Sequence, residues 1–390
     1  MLNFTFFNPT KAVFGKGQLQ ELDNLVPEKA TVLITYGGGS AKRNGVLDLV
    51  KEVVAKSGRT VLEFGGIEAN PEFSTLMKAV AIVREKKVDF LLAVGGGSVM
   101  DGTKFIASAS CADNFVGKEA ELLTFGFGAV PVERSIPLGT VVTLPATGSE
   151  MNCFAVISNG EDKLPFMHPS LFPVFSILDP ELTFTLPENQ VANGIVDAFV
   201  HVLEQYLTYP QAAPLQDRMA ESILQTLIEI GPETLAKPQD YDARASLVWC
   251  ATLALQGLIG VGVVPDWSTH MIGHELTALF RSAHARSLAV VLPGTMRVRK
   301  EQKKEKLLQY GQRVWGIVEG SDDERIEAAI VKTEEFFTSL GVGTRLKDLG
   351  VTEADLDKIM ANLEKHGMTA LSERGDQTLD VSRRILEAVL

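Results

Sequence analysis

The segment Phe90–Lys104, FLLAVGGGSVMDGTK, contains the pattern that decides the fold of the first half of the chain. An apolar run is followed by a glycine turn and then by residues compatible with a helix. The same order occurs upstream, where TVLIT from Thr31 leads into Gly37–Ser40, and TVLEF from Thr60 adds a further apolar run. Because helical patterns alternate with these runs, the sequence predicts a parallel sheet covered by helices on both faces.

The pattern changes near Asp179. The stretch DPELTFTLP places two prolines around a short extended run, and helical patterns then continue to Leu390. The predicted helices are Glu188–Leu207, Leu215–Ile228, Ala243–Leu258, Ser268–Leu279, Lys300–Val318, Glu324–Leu340 and Glu353–Lys365. We therefore predict an α/β domain over residues 1–185 and an all-α domain over residues 186–390.

The overall charge excludes some classes of partner. The chain has 390 residues, with 37 Lys and Arg against 49 Asp and Glu, a formal charge of −12. This charge repels nucleic acid and anionic membrane surfaces alike. The uncharged stretch Ser246–Val264 is long enough to cross a bilayer, but it contains Gln256 and three glycines. We interpret it as a buried helix and expect no membrane association.

The cysteines indicate a reducing compartment. Cys111, Cys153 and Cys250 are an odd number without short spacing, so neither a disulfide framework nor a thiolate metal site is predicted. The N-terminal segment lacks the cationic start and unbroken apolar run of a secretory signal. We expect a cytoplasmic protein.

Two glycine turns are candidates for binding phosphate. Gly37, Gly38, Gly39 and Ser40 form the first, and Gly95, Gly96, Gly97 and Ser98 form the second. Backbone N–H groups and a helix N-terminus can hold a phosphate at such a place. Neither turn has the GxGxxG spacing of the Rossmann fingerprint, and both could simply be tight strand-to-helix turns that need positive φ.

Acidic and histidine side chains cluster in the apolar second half. Asp197 and His201 are four residues apart, which places them on one helical face, and His270 and His274 repeat this spacing. His284 follows in RSAHARS. Buried without partners, such groups are costly, and a metal would offset that cost. Carboxylate and imidazole ligands without sulfur suit zinc, ferrous iron, manganese or cobalt. Spacing alone pairs His270 with His274.

At these residues the chain resembles the iron-dependent (group III) alcohol dehydrogenases, and within them the butanol dehydrogenase and NADPH-dependent aldehyde reductase branch. The resemblance extends over nearly the full length, through NPTKAVFGKG, GGGSVMDGTK, TLPATGSEMN, LDPELTFTLP, GIVDAFVHVLEQY, THMIGHELTALF and HARSLAVVLP. It implies a dehydroquinate synthase-like fold, with residues 1–185 as an α/β dinucleotide-binding domain and residues 186–390 as a helical metal-binding domain. It also implies a homodimer and a metal-dependent NAD(P)-linked dehydrogenase for short-chain alcohols and aldehydes.

The resemblance also assigns residues to roles. It places the metal ligands at Asp197, His201, His270 and His284, and so replaces His274 by His284 as a ligand; iron and zinc are the expected metals. His274 becomes the candidate for proton relay. Asp101, near the nicotinamide end, is counted with it as catalytic. The cofactor-binding residues implied are Gly95, Gly96, Gly97, Ser98, Asp101, Thr143, Thr147, Asn152 and Lys163.

One departure from the NAD-using relatives concerns the second strand. Those relatives carry an acidic residue after it, where this chain has Gly37–Ser40. A carboxylate would repel the 2′-phosphate of NADP, whereas N–H groups and a hydroxyl can bind it. NADP is therefore predicted, with NAD as the alternative.

The same fold also carries other functions. A polyol dehydrogenase of the glycerol type is the nearest alternative. A carbon–oxygen lyase would need basic residues for a phosphorylated acidic substrate, and no such group accompanies the predicted ligands. A sensor that binds metal and nucleotide without turnover is the alternative outside enzymes.

Overall fold

The structure, a computed structural model, describes residues 1–126 and 128–390. Its strands are β1 (Lys11–Phe14), β2 (Thr31–Tyr36), β3 (Thr60–Phe64), β4 (Phe90–Gly95), β5 (Leu138–Val142), β6 (Phe154–Asn159), β7 (Asp162–Met167) and β8 (Phe175–Leu178). Its helices are α1 (Leu22–Leu25), α2 (Ser40–Arg43), α3 (Val46–Val54), α4 (Phe73–Lys86), α5 (Gly97–Ala109), α6 (Glu188–Tyr206), α7 (Pro214–Ala236), α8 (Tyr241–Ala254), α9 (Ser268–Phe280), α10 (His284–Val298), α11 (Lys304–Trp315), α12 (Asp322–Ser339), α13 (Leu356–Lys365) and α14 (Leu379–Glu387).

The α/β part is built on a parallel sheet in the order β1-β8-β5-β4-β2-β3. Alternate residues of its strands point to opposite faces. Ile34 packs in a cluster with residues of α3, whereas Leu33 packs in another with residues of α4 and α5. The predicted parallel sheet with helices on both faces is therefore confirmed, and its strands are apolar throughout because both faces are covered.

The strand order places the two glycine turns side by side. β2 and β4 are neighbours, and their register pairs Tyr36 with Val94 at their carboxyl ends. The chain runs from β2 outward to β3 and then returns across β2 to β4, which makes this edge a topological switch point. Ligands of open α/β sheets bind at such a point.

Several elements were not predicted from the sequence. The hairpin β6–β7 falls in a polar stretch. Helix α10 contains Pro293 and Gly294, residues that usually end a helix, and the short α14 was also missed. The predicted helices of the second half correspond to α6–α9 and α11–α13, with ends that differ by up to eight residues.

The predicted division at residues 185 and 186 needs correction. One compact unit comprises 7–187 and 238–252, and the other comprises 1–6, 188–237 and 253–390. In the first unit Val248 packs in the core beside α4 and α5, and the Thr252 hydroxyl donates to Glu150 Oε1 at 2.6 Å. In the second unit the Leu2 amide donates to Gly262 O at 2.9 Å. These contacts join segments that are distant in sequence, which periodicity cannot reveal.

Within residues 1–126 and 128–390, none of the helices combines the length and the apolar character needed to span a membrane. The uncharged stretch that raised this possibility is interrupted, because α8 ends at Ala254 and Gly257 adopts a left-handed conformation (φ 100°). The prediction of one continuous helix to Leu258 was therefore too long.

Candidate metal centre and nucleotide loops

Helix α6 presents two of the predicted ligands on one face. Asp197 and His201 are separated by one helical turn and are 3% and 4% exposed. Asp197 Oδ1 lies 3.9 Å from His201 Nδ1, beyond hydrogen-bond distance. Both polar side chains are thus buried in the helical unit, and these two atoms do not form a hydrogen bond with each other.

Helices α9 and α10 bring two further imidazoles to this pair. The His270 ring stacks on that of His201 with 4.6 Å between centroids, and His284 Nε2 lies 3.8 Å from Asp197 Oδ1. One ligand atom from each of Asp197, His201 and His270 lies within 4.8 Å of the other two. His284 is the first residue of α10 and is the most exposed of the four, at 22% of its side chain.

The donor set suits a divalent metal. Burial lowers the pKa of His201 to about 4, and the Asp197 carboxylate opposes this shift only in part. The ring is therefore neutral near pH 7 and can offer a lone pair, the form a metal binds. Among the described residues, nothing forms a hydrogen bond with the buried Nδ1 of His201. A carboxylate and imidazoles at these distances match zinc or ferrous iron.

His274 lies beside this group. It is 6% exposed, and its ring centroid is 5.2 Å from that of His284 and 6.1 Å from that of His270. The contact with Asp197 at 3.8 Å belongs to His284. Helical spacing had paired His270 with His274 because it considers one helix at a time.

A carboxylate behind His270 was missed in the sequence. Glu204 follows Asp197 by seven residues on α6, which places it on the same face, and it is 4% exposed. Its carboxylate bonds with the His270 ring at Nδ1 and accepts from the His270 backbone N–H at 3.2 Å. The helical spacing of Asp197, His201 and Glu204 was the available signal.

The two glycine turns converge on Val99 in the other unit. A Cβ on Gly37 would lie 3.5 Å from Val99 Cγ2, and a Cβ on Gly95 would lie 2.6 Å from the same atom. A Cβ on Gly97 would collide with Thr147. Side chains are thus sterically excluded at Gly95 and Gly97, and the backbone begins α5, a helix of 13 residues, at the switch point.

Asp101 is held by its own unit. Its Oδ1 accepts from Ser149 Oγ at 2.7 Å, and its Oδ2 accepts from the Val156 amide at 2.9 Å. Burial raises the pKa of Asp101 above its ordinary value, although the Lys104 ammonium opposes that shift. Both oxygens are therefore engaged in ordering the segment that contains Ser149 and Val156.

Lys104 is a second residue that was not assigned a role. Its ammonium is completely buried and donates to Ser149 Oγ at 2.8 Å, Asn152 Oδ1 at 3.0 Å and Phe154 O at 2.7 Å. Burial lowers its pKa to about 8. One buried cation therefore fixes three points of the loop that contains the predicted cofactor residue Asn152.

The remaining predicted cofactor residues lie around the same edge. The Thr143 amide donates to Gly95 O at 2.9 Å, and Thr147 Oγ1 accepts from the Ser149 amide at 3.2 Å. Lys163 Nζ, on β7, donates to Asn70 Oδ1 at 3.2 Å. The hydroxyl of Ser98 donates to the carbonyl of Ala69. Ser40 and Gly38, in the first turn, are exposed.

Two domain families match the chain. Iron-containing alcohol dehydrogenase matches residues 9–180, and Fe-containing alcohol dehydrogenase family, C-terminal, matches residues 191–373. The first range contains the glycine turns, and the second contains the acidic and histidine cluster. The resemblance inferred from the motifs is thereby confirmed.

Individual relatives agree with this assignment. The chain is 55% identical over 390 residues to the NADPH-dependent aldehyde reductase YqhD of Escherichia coli K12, with 100% of both chains covered. It is 43% identical over 371 residues to the probable NADH-dependent butanol dehydrogenase 1 of Bacillus subtilis 168, covering 93% of this chain and 94% of the relative. A crystal structure of E. coli K-12 YqhD superposes with a TM-score of 0.96 at 54% identity, covering 100% and 99% of the two chains.

Proposed function

The chain belongs to the iron-containing alcohol dehydrogenase family, and on this premise we propose that it reduces short-chain aldehydes to alcohols with NADPH, and oxidises such alcohols in reverse. It is an NAD(P)-dependent oxidoreductase that requires a metal. The observation that carries the proposal is the buried cluster of Asp197, His201 and His270, whose ligand atoms lie within 4.8 Å of one another.

The metal would be held by Asp197, His201, His270 and His284. Iron is the first choice because of the family, and zinc is the alternative that the ligands allow. When bound there, a divalent ion supplies Lewis-acid polarisation of the substrate oxygen. The residues of the chain hold three imidazoles and one carboxylate together, and burial keeps the His201 ring neutral near pH 7 by lowering its pKa.

We assign proton transfer to His274. Its buried ring packs near that of His284 and so lies beside the proposed metal ligands. There a ring nitrogen can give a proton to the product alkoxide or take one from an alcohol. Asp101 has another task. Because Ser149 and Val156 occupy both of its oxygens, it acts by positioning the loop beside the nicotinamide end rather than by transferring a proton.

The nucleotide would bind along the switch point of the sheet. The residues proposed for it are Gly37, Gly38, Gly39, Ser40, Gly95, Gly96, Gly97, Ser98, Thr143, Thr147, Asn152 and Lys163. The first turn is followed by Lys42 and Arg43 in α2, and Arg43 Nη1 donates to Gly38 O at 3.3 Å. Two cations beside N–H groups and a hydroxyl favour the 2′-phosphate of NADP.

The test follows NADPH oxidation on addition of butyraldehyde, with and without metal. His270→Ala should lose turnover and metal content while it still binds NADPH, since the glycine turns lie in the other unit. Full activity in metal-free protein would contradict the scheme. Glycerol oxidation that exceeds butanol oxidation would favour the polyol dehydrogenase, and nucleotide binding without consumption would favour a sensor.

We further propose a homodimer. The N-terminal segment exposes Leu2, Phe4, Phe6 and Phe7 at 51%, 50%, 41% and 73%, a concentration of apolar surface that association with a second copy would cover. Light scattering should give twice the mass of 42.3 kDa. The double substitution Phe4→Ser and Phe6→Ser should shift the protein toward the monomer, and a wild-type monomer would exclude the proposal.

The cytoplasm is our proposed location. Cys111, Cys153 and Cys250 are all free thiols, and the last two are buried. Thiols of this kind persist in a reducing compartment. Fractionation of cells that produce the protein tests this placement, and recovery from a secreted or membrane fraction would contradict it.

A further inference from the structure

Glu204 lies in the same buried layer as the proposed metal ligands. It is on helix α6, three residues after His201, and its side chain is 4% exposed. A carboxylate in such a place is costly unless its oxygens accept hydrogen bonds. Two of those bonds come from His270, on a different helix.

Two bonds connect Glu204 with His270. Oε1 accepts from the His270 backbone N–H at 3.2 Å, and Oε2 bonds with Nδ1 of the ring. A neutral imidazole has one N–H, so a carboxylate that accepts from Nδ1 leaves the lone pair on Nε2. Nε2 is thereby the nitrogen that His270 can present to a metal.

We propose that Glu204 is a positioning residue of the metal centre, which fixes the tautomer and orientation of His270. This inference rests on the proposed function, because it gives Nε2 of His270 a metal to bind. Metal-binding histidines commonly donate their second N–H to a carboxylate, which orients the ring and makes it a better ligand.

The start of α9 is held by other groups in addition to Glu204. Asp266 Oδ1 accepts from the Ser268 amide at 2.9 Å, and the Asp266 amide donates to the backbone carbonyl of Glu204 at 2.8 Å. The buried ammonium of Lys303 lies 2.7 Å from Asp266 Oδ2 and donates to Leu207 O at 2.6 Å. These bonds do not need the Glu204 side chain, so they still hold the start of α9 when Glu204 is replaced, whereas the His270 ring loses its carboxylate partner.

The experiment measures metal affinity in the metal-free protein by competition between Zn²⁺ and a chromogenic chelator. Glu204→Leu removes the acceptor, and Glu204→Gln keeps an acceptor oxygen but removes the charge. We expect Glu204→Leu to bind Zn²⁺ about 10–100-fold more weakly, with Glu204→Gln between it and the wild type. The affinity for NADPH should not change in either variant.

The matched control is Glu275→Gln. Glu275 lies on α9, the helix of His270, and is 4% exposed like Glu204; it accepts from Asn362 at 3.0 Å and pairs with His366 Nδ1 at 2.7 Å. Glu275 is thus a buried carboxylate bonded to a histidine outside the proposed ligand set. The Glu275→Gln protein should therefore bind Zn²⁺ as tightly as the wild type does. A loss as large as that of Glu204→Leu would overturn a specific role for Glu204.

A second measurement does not depend on the Glu204 variants. Nitrogen-15 NMR of the wild-type metal-free protein, with His270 identified by His270→Ala, reports which ring nitrogen carries the proton. A proton on Nδ1 supports the inference, and a proton on Nε2 overturns it. Wild-type Zn²⁺ affinity in Glu204→Leu would overturn this inference alone. A wild-type protein that binds no divalent metal would overturn the proposed function as well.

Discussion

His201 Nδ1 lies 3.9 Å from Asp197 Oδ1, one turn away on the same helix. The distance is too long for a hydrogen bond, yet it is shorter than the sum of two ligand bonds of about 2.0–2.2 Å each. One cation can therefore contact both atoms. His284 Nε2, from a different helix, lies at nearly the same distance from this oxygen, 3.8 Å. The centre is thus organised around the Asp197 carboxylate.

Metal should stabilise the folded protein through Asp197. Ligand at 100 times its dissociation constant adds about 2.7 kcal/mol to the free energy of unfolding. Thermal unfolding of wild-type protein should therefore shift upward on addition of metal, and Asp197→Asn should lose most of that shift. Glu221→Gln is the control, because Glu221 is a buried carboxylate that bonds with Tyr206 and Arg218. An equal shift in Asp197→Asn would remove Asp197 from the ligand set.

Cofactor preference should depend on Arg43. Loss of one charged hydrogen bond to the 2′-phosphate costs about 1.5–3 kcal/mol, so Arg43→Ala should lower kcat/KM for NADPH by roughly 10–100-fold. The value for NADH should stay nearly constant. Lys51→Ala serves as control. Lys51 is a cation of the same unit, and its Nζ pairs with Glu63 Oε1 at 2.7 Å. A uniform loss with both nucleotides would argue against recognition of the 2′-phosphate.

Lys104 should make stability depend on pH in the alkaline range. Its pKa in the folded protein is about 8, below the ordinary 10.5, so between these values the unfolded chain binds more protons. Stability from this group therefore rises with pH from 8 to 10.5, with a slope of up to about 1.4 kcal/mol per pH unit. Urea unfolding across this range should show a smaller slope in Lys104→Met than in the wild type. Identical slopes would contradict the lowered pKa.

Arg244 should be a site where substitution stabilises the protein. It is 1% exposed and donates to Pro238 O at 3.0 Å, but its buried Nε and Nη1 lack acceptors in the part of the chain that the structure describes. Each buried donor without a partner costs about 1–3 kcal/mol, so Arg244→Met should raise the free energy of unfolding or leave it unchanged. Denaturant titration measures this difference.

Arg59→Met is the matched comparison for that experiment. Arg59 is also buried, but all of its guanidinium nitrogens donate: Nε to Pro27 O at 3.0 Å, Nη1 to Asp23 Oδ1 at 2.8 Å, and Nη2 to Val26 O at 2.6 Å. Its replacement removes the donor to the backbone carbonyls of Pro27 and Val26, and each acceptor left buried without a partner should lower the free energy of unfolding by about 1–3 kcal/mol. Strong destabilisation by Arg244→Met as well would mean that Arg244 has partners of its own.

The sequence alone determined the features that depend on local spacing. Apolar runs followed by glycine turns predicted β2, β4 and the parallel sheet, because strands covered on both faces must be apolar throughout. Separation by four residues predicted that Asp197 and His201 share a face of α6, since that is the period of a helix. Motifs predicted the family, and the match of residues 9–180 and 191–373 to that family confirmed it.

Only the tertiary structure decided which distant residues meet. Helical spacing favoured His274 and the family resemblance named His284, but only the structure shows that α10 begins beside α6 and so brings His284 to Asp197. Glu204 bonds with His270 across 66 residues of sequence, and Lys104 fixes a loop about 50 residues away. Residues 238–252 likewise join the α/β unit through side-chain packing. Periodicity gives the direction of a side chain from its own element but not the element that packs against it.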